Sequence, residues 1–451
     1  MESEIKTFTY ENGDVQRVRV VHPDSFDALE FFRPAPSEQA FPRLVALYRD
    51  FIVARAPFIF GKLVLFRIPD DFSEEALPPR ESAYGTLFTP EARVKAAFLR
   101  DVHWKGHTEN GAPAFRSAST EKLWNELVAR GSLEVVRGSR RSMSFLPVAG
   151  TFGMLSETEP DAAMKVNASF FVMDCFDCGT IYDTIGTPLG LCVKNGEVLN
   201  PPLFDREVFS VRGGSCAVES VPLACLKAQI GGQRYEDGQE GVKFYMRPER
   251  ANTRSGGYDI IVVGQNVVAV KRGGRSKVPC SGFVIHTPKD PGIRTGARVF
   301  YRGAENLDFA IQVGNSAIRG GVRTEDFISR FYDIKKIWTT AYPPSLYPLN
   351  YEKARAPRIV LGADENDRPM ILWFEGAGKF GYEPGRDSCG ASLSEAAAIC
   401  ETLGMKNGIH LDGGGSAQII THGERVLKVS DRDPSDFSEH ERAVPMGLIV
   451  R

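Results

Sequence analysis

Residues 392–420 read SLSEAAAICETLGMKNGIHLDGGGSAQII, and the order of elements in this stretch decides the fold. Ser392 followed three residues later by Glu395 is a capping box that opens a helix. Ala396, Ala397, Ile399 and Cys400 supply its apolar face, Leu403 ends that face, and Gly404 is the left-handed stop. Asn407 to Leu411 then has the texture of a strand that runs into Asp412-Gly413-Gly414-Gly415-Ser416. Ala417 to Ile420 reads as a second strand, turned back at His422-Gly423. Helix, strand, glycine loop and strand is not a nucleotide P-loop, because the Lys-Ser/Thr is absent and a strand follows the glycines where a helix should. The same strand excludes a dinucleotide fingerprint.

Working outward, short apolar runs punctuated by Gly, Pro, Asn and Asp recur from about Met143. Val166 to Met173, Tyr258 to Val263 and Gly282 to His286 are examples, and Asn195-Gly196 is a hairpin turn signal. The first part of the chain is different. Val15 to Val21 and Lys62 to Ile68 read as strands, and a helix follows Pro42 with Leu44, Leu47, Tyr48, Phe51 and Ile52 on one face. A further helix is capped at Ser119 or Thr120, carries Leu123, Trp124, Leu127 and Val128, and stops at Gly131. Pro78 to Pro113 has little period, and His103 and His107 are read as loop. The expected fold class is α+β: strand-rich mixed or antiparallel sheets with a few packed helices, plus a smaller α/β N-terminal region. The expected division is 1–142 and 143–451, with strand 62–68 a candidate member of the main core.

The 451 residues are too many for one ordinary core. Lys and Arg number 55 against 57 Asp and Glu, for a net charge of -2, so no bulk positive field exists for nucleic acid or an anionic membrane. The polar start Met1-Glu2-Ser3-Glu4 has no apolar signal region, and no run of apolar residues approaches a membrane span. A soluble, cytoplasmic protein is the expectation, with the oligomeric state open. Eight Cys in a chain this long do not make a disulfide scaffold. Cys175 and Cys178 form a single C-x-x-C without the second pair that zinc requires, and Asp174 and Asp177 read as solvated loop carboxylates, not cation ligands. No cofactor is expected.

Three glycines after an aspartate have a chemical use. Their N–H groups can form an anion-binding nest, Ser416 adds a hydroxyl, and Asp412 places a carboxyl beside the anion. A tight structural turn is the competing reading. The run Ile409 to Ser416 with its preceding helix resembles the signature of the phosphodiester glycosidase family, whose members include an enzyme that removes a masking N-acetylglucosamine from mannose 6-phosphate. Other segments carry the resemblance in order: Val166-Asn167-Ala168-Ser169-Phe170-Phe171, Gly186-Thr187-Pro188-Leu189-Gly190, Pro357-Arg358 with Gly362, Glu375-Gly376, Asp433-Pro434-Ser435-Asp436, and Glu441-Arg442. The similarity spans roughly Met143 to Arg451 and does not extend to the first 140 or so residues. Three departures stand out. Val313-Gly314-Asn315-Ser316 replaces a glycine triplet with proline, Ala168-Ser169 replaces two glycines, and Ala377 stands where the family has a phosphate-binding Arg, for which Lys379 or Arg386 are possible substitutes.

The resemblance implies a hydrolase that cleaves the glycosyl C–O bond of a sugar-1-phosphodiester, with a phosphorylated glycan or similar molecule as substrate. Asp412 and Glu375 are the candidates for activating water or stabilising the oxocarbenium-like cation. Asn167, Arg358, Gly413, Gly414, Gly415 and Ser416 are the candidates for holding phosphate or sugar. Each has a structural alternative: a turn for Asp412, an ion pair for Arg358, a solvated strand end for Glu375, a buried amide for Asn167. His410 reads as a core or rim histidine. The rival functions are an ordinary glycoside hydrolase on the same fold, and a non-catalytic glycan- or nucleotide-sugar-binding or structural protein.

Overall fold

A strand buried on both faces has no polar side, so its sequence reads as an unbroken apolar run. Arg358–Asp364 and Pro369–Phe374 are such strands, with every residue buried, and they lie at the centre of the molecule. The computed structural model describes residues 1–33, 52–54, 62–69, 71–79, 81–82, 85–86, 90–104, 112–137, 153–157, 159, 161–172, 180, 182–183, 186–203, 206–247, 250, 252–324, 355–376, 384, 387–422, 424–425 and 441–451.

Twelve of the described strands build two central sheets: β1 (Glu2–Thr9), β2 (Val15–His22), β3 (Leu29–Phe32), β4 (Met164–Asn167), β5 (Ser316–Arg319), β6 (Val322–Arg323), β7 (Arg358–Asp364), β8 (Pro369–Phe374), β9 (Met405–His410), β10 (Ile419–Thr421), β11 (Glu424–Arg425) and β12 (Gly447–Val450). The larger sheet has the order β1-β2-β8-β7-β9-β5-β6 and the smaller β3-β12-β4-β10-β11. Every pairing in both is antiparallel. Period-two alternation sends Ile359, Leu361, Ile371, Trp373, Ile409 and Leu411 to one face, where they share a core with Met164, Val166, Ile419 and Leu448 of the smaller sheet. The opposite face, with Val18, Val20, Val360, Leu372 and Phe374, packs on Leu393, Ala396, Ala397 and Cys400 of the helix Leu393–Thr402. The layers are therefore helix, seven-stranded sheet, five-stranded sheet. The capping box forms as the sequence predicts, with Ser392 Oγ accepting from Glu395 N–H and Glu395 Oε2 accepting from Ser392 N–H.

Residues 188–311 hold further antiparallel sheets around a second core that includes Leu191, Val208, Ile260, Phe283 and Val299. Asn195 and Gly196, at φ of 48° and 76°, make the tight hairpin expected of Asn-Gly. A smaller α/β unit consists of strands Ile52–Ala54, Lys62–Phe66 and Leu133–Arg137 with helices Pro90–Asp101 and Ala118–Ala129. It has its own core of Val64, Phe66, Phe98, Trp124 and Leu127.

The strand-rich α+β class agrees with the sequence expectation, and the described residues hold only three α-helices. The division at residue 142 does not follow the sheets. Strands β1, β2 and β3 are members of the central sheets: β2 and β3 pair with β8 and β12 more than 300 residues away, and β1 joins through β2. Strand Lys62–Phe66 belongs to the small unit and not to the main core. Pro90–Asp101 is a helix within the segment that shows no clear period, and His103 lies on a strand, Val102–Trp104, not in a loop. No described helix is long and apolar enough to cross a membrane. Of the helix expected after Pro42, Ile52 lies instead on the strand Ile52–Ala54, and its other residues, along with His107, Asp174, Cys175, Asp177, Cys178, Ala377, Lys379, Arg386 and Asp433–Asp436, lie outside the described residues.

Candidate active site

The glycine loop sits where the two central sheets meet. Val360 pairs with His410, and Leu411 N–H extends the ladder by donating to Ile359 O at 2.9 Å. The chain then leaves the seven-stranded sheet, and Asp412 N–H donates to Ala168 O at 3.0 Å, just beyond β4 of the five-stranded sheet. By this register Asp412 comes opposite Arg358, the first residue of β7. Asn167, at the end of β4, fastens both ends of the loop. Its Nδ2 donates to Asp412 O at 2.7 Å, and its Oδ1 accepts from Gln418 N–H at 2.9 Å. Asn167 is thus a buried structural amide, with both ends of its side chain engaged by the loop.

Two arginines act on the Asp412 carboxyl. Arg442 Nη1 donates to Ser416 Oγ at 3.2 Å, and the Ser416 hydroxyl in turn hydrogen-bonds the Asp412 carboxyl, as does Gly413 N–H. Arg358 is buried alongside, its Nε donating to Ala391 O at 3.1 Å. Burial pushes the Asp412 carboxyl up to about 7, against the pull of Arg442, Ser416, Gly413 and Arg358. Burial lowers the Arg358 guanidinium to about 10, with Asp412 opposing the change. His410 is driven down to about 3 by burial and then by Arg358, so its ring is neutral.

The amides of Gly413, Gly414 and Ser416 are turned inward. Gly413 N–H serves Asp412, Gly414 N–H donates to Pro357 O at 2.8 Å, and Ser416 N–H donates to Gly413 O at 3.2 Å. The open nest expected of Gly413, Gly414 and Gly415 is therefore not formed from the Gly413, Gly414 and Ser416 amides. The glycines have steric reasons of their own. A Cβ on Gly413 would lie 3.0 Å from Pro357 O, and Gly414 has φ of +61°.

Glu375 follows β8 at the same end of the sheet, but its carboxylate faces a different cation. Arg17 Nε of β2 donates to Glu375 Oε2 at 2.6 Å. The structure thus joins Arg358, Asp412, Ser416 and the glycines in one cluster with Asn167 beneath them. It gives Glu375 to Arg17 in the neighbouring register row. Val313 to Ser316 borders the cluster: Gly314 N–H donates to His410 O at 2.8 Å, and His410 N–H to Asn315 O at 3.0 Å.

Two residues that contact these candidates, one in the cluster and one beside it, were not singled out by sequence reasoning. Arg442 had a signal in the Glu441-Arg442 match, although nothing local tied it to Ser416. Arg17 had none, because its partner is 358 residues away.

The site is thus a carboxyl buried where two sheets meet, with Arg358 opposite it and Arg442 bound to the neighbouring Ser416. The model of the phosphodiester glycosidase family matches residues 224–451, half of the chain, and the chain belongs to that family. Among solved structures it is similar to a hypothetical protein from Synechocystis, at 15% identity over 99% of this chain and 80% of that one, with a TM-score of 0.38. It is also similar to the auto-inhibited catalytic domain of zebrafish N-acetylglucosamine-1-phosphodiester alpha-N-acetylglucosaminidase, at 11% identity over 100% of this chain and 82% of that one, with a TM-score of 0.38. Neither likeness assigns a role to any residue. None of the curated proteins matches the chain.

Proposed function

We propose that this protein hydrolyses a sugar-1-phosphodiester at the bond between the anomeric carbon and the phosphate oxygen. The observation that carries the reading is the Asp412 carboxyl, buried and poised near neutrality, with Arg358 and Arg442 both acting on it. Two guanidiniums beside one carboxyl suit a phosphodiester better than a neutral glycoside, since they provide forked donors for phosphate oxygens. Membership of the phosphodiester glycosidase family supports the same bond.

In this mechanism Arg442 and Arg358 hold the phosphate. Asp412, in its carboxylate form, takes a proton from the water that attacks the anomeric carbon. The new C–O bond forms as the bond to the phosphate oxygen breaks, with positive charge building on the sugar ring. The phosphate monoester has a second pKa of ~6 and departs without a strong general acid. The ion-paired Glu375 supplies negative charge toward the ring. Asn167 and the inward-turned glycine amides hold Asp412 in place and do not contact phosphate.

The test is a panel of sugar-1-phosphodiesters and aryl glycosides, with Asp412→Asn beside the unaltered protein. Turnover of the phosphodiesters alone, lost in Asp412→Asn, is the expected result. Turnover confined to aryl glycosides would replace the phosphodiester reading with an ordinary glycosidase. Binding of a glycan without turnover of either class would make the protein a binding module.

A further inference from the structure

Glu375 is only 4% exposed, although it stands at the end of a strand. A buried charge requires a partner of good geometry, and the N-terminal hairpin supplies one. Arg17 Nε lies 2.6 Å from Glu375 Oε2. The main chains are locked in the same register, with Glu375 N–H donating to Arg17 O at 3.0 Å. Ser388 completes a closed set of hydrogen bonds. Its hydroxyl donates to Glu375 O at 2.7 Å and accepts from Arg17 N–H at 3.0 Å and from Gln16 Nε2 at 3.1 Å. Gln16, fully buried, also donates to Glu375 O and to Arg17 O, both at 2.8 Å. Cys389 N–H then pairs with Val15 O at 2.8 Å.

This arrangement exceeds what holding an edge hairpin requires. Strand β2 is already secured by its ladder to β8, from Val18↔Phe374 to Val21↔Ile371. The added polar clamp centres on Arg17, the residue level with Glu375, and on Gln16 next to it. All of these N-terminal residues lie outside the segment 224–451 that matches the family. Arg17 keeps 31% of its side chain exposed while Glu375 keeps 5%. The cation is thus the solvent-side member of the pair and the carboxylate the enclosed one.

We infer that strand β2 is a working part of the active site, and that Arg17, backed by Gln16 and Ser388, is a positioning residue that fixes the Glu375 carboxylate for the reaction. The inference rests on the reading given under Proposed function. A misplacement of about 1 Å in a catalytic group can lower a rate ~100-fold, so the fixing is kinetically significant.

The test uses the full chain as wild type, Arg17→Gln, Arg17→Lys, Glu375→Gln and the double variant Arg17→Gln/Glu375→Gln. For each, kcat and KM on a sugar-1-phosphodiester and the melting midpoint are measured. Arg17→Gln lowers kcat about 10- to 100-fold with KM within about twofold. The double variant is no slower than Glu375→Gln alone, because Arg17 acts only through that carboxylate. Arg17→Lys, which restores a cation, recovers most of the loss. Full kcat in Arg17→Gln would overturn the inference, as would losses that multiply in the double variant. So would a rate loss in Arg17→Gln that Arg17→Lys does not relieve and a lowered melting midpoint accounts for. A wild type that turns over no sugar-1-phosphodiester sinks the functional reading as well. An active wild type with an equally active Arg17→Gln sinks this inference alone.

Discussion

Replacing Asn167 with Ala removes both contacts that close the glycine loop. Asp412 O loses its donor at 2.7 Å and Gln418 N–H loses its acceptor at 2.9 Å. Both groups are enclosed, and Asn167 itself is 1% exposed. An unsatisfied buried polar group costs about 1–3 kcal/mol, so the two together cost about 2–6 kcal/mol. That is a large share of the ~5–15 kcal/mol by which a folded protein is typically stable. The damage also reaches Arg442, because Gln418 Nε2 donates to Arg442 O at 2.6 Å and shifts with its own backbone. Urea unfolding measures the global loss, and hydrogen exchange of a peptide spanning residues 412–422 measures the local one. Faster exchange at Gln418 with a midpoint drop of that size is expected. Asn167→Asp keeps the oxygen that Gln418 uses and lacks the donor to Asp412 O, so exchange at Gln418 is better protected than in Asn167→Ala. A loss below about 0.5 kcal/mol with unchanged exchange at Gln418 would refute the reasoning, since the loop would then not depend on Asn167.

Other expectations follow from the same contacts. Asp412 has a folded pKa of about 7 against an ordinary 3.8, so the folded state binds the proton more tightly than the unfolded state does. Stability is therefore lost as pH rises from about 4 through 7, and Asp412→Asn escapes this loss. Melting midpoints of the pair should diverge upward through that window in favour of Asn, and parallel curves would contradict the assignment. Arg442→Gln removes a guanidinium from the phosphate and the donor to Ser416 Oγ; it should raise KM for a phosphodiester at least about tenfold, as a lost charge-assisted contact of ~1.5–3 kcal/mol implies. An unchanged KM would remove Arg442 from the substrate site. Ser392→Ala deletes the cap of the helix that backs the central sheet and should cost about 1 kcal/mol, measured by urea midpoint. No measurable loss would show that packing of Leu393, Ala396 and Ala397 alone holds the helix end.

The features legible in the sequence are those that local chemistry specifies. Ser392 and Glu395 sit three apart and reach each other's backbone at a helix start, so the capping box is readable without the fold. Asn195-Gly196 and Gly404 declare themselves by their left-handed backbone. The strand–glycine loop–strand order around Asp412 is legible for the same reason. The role of the glycine amides is not, because Pro357 O, which takes Gly414 N–H, lies just before β7, more than 50 residues away in the chain. The placement of β1 to β3 is set by pairings across more than 300 residues, such as Val18↔Phe374 and Leu29↔Val450, for which a single sequence carries no mark. Helix Pro90–Asp101 escaped notice because its pattern is interrupted by Arg93. That residue is buried through bonds from its guanidinium to Glu74 and to Pro78 O, not through apolar contact. Among the site residues, Arg358 and Asp412 are brought together by register, whereas Glu375 finds its partner in Arg17 by a pairing invisible from either segment alone.

The central claim is that the bond broken is the sugar C–O bond and not a P–O bond, with Asp412 activating the water. Hydrolysis of a sugar-1-phosphodiester in water enriched in ¹⁸O decides it, with mass analysis of both products. The account predicts the label on the anomeric hydroxyl of the released sugar and an unlabelled phosphate monoester, with product formation abolished in Asp412→Asn. Label on the phosphate would place the attack at phosphorus and contradict it.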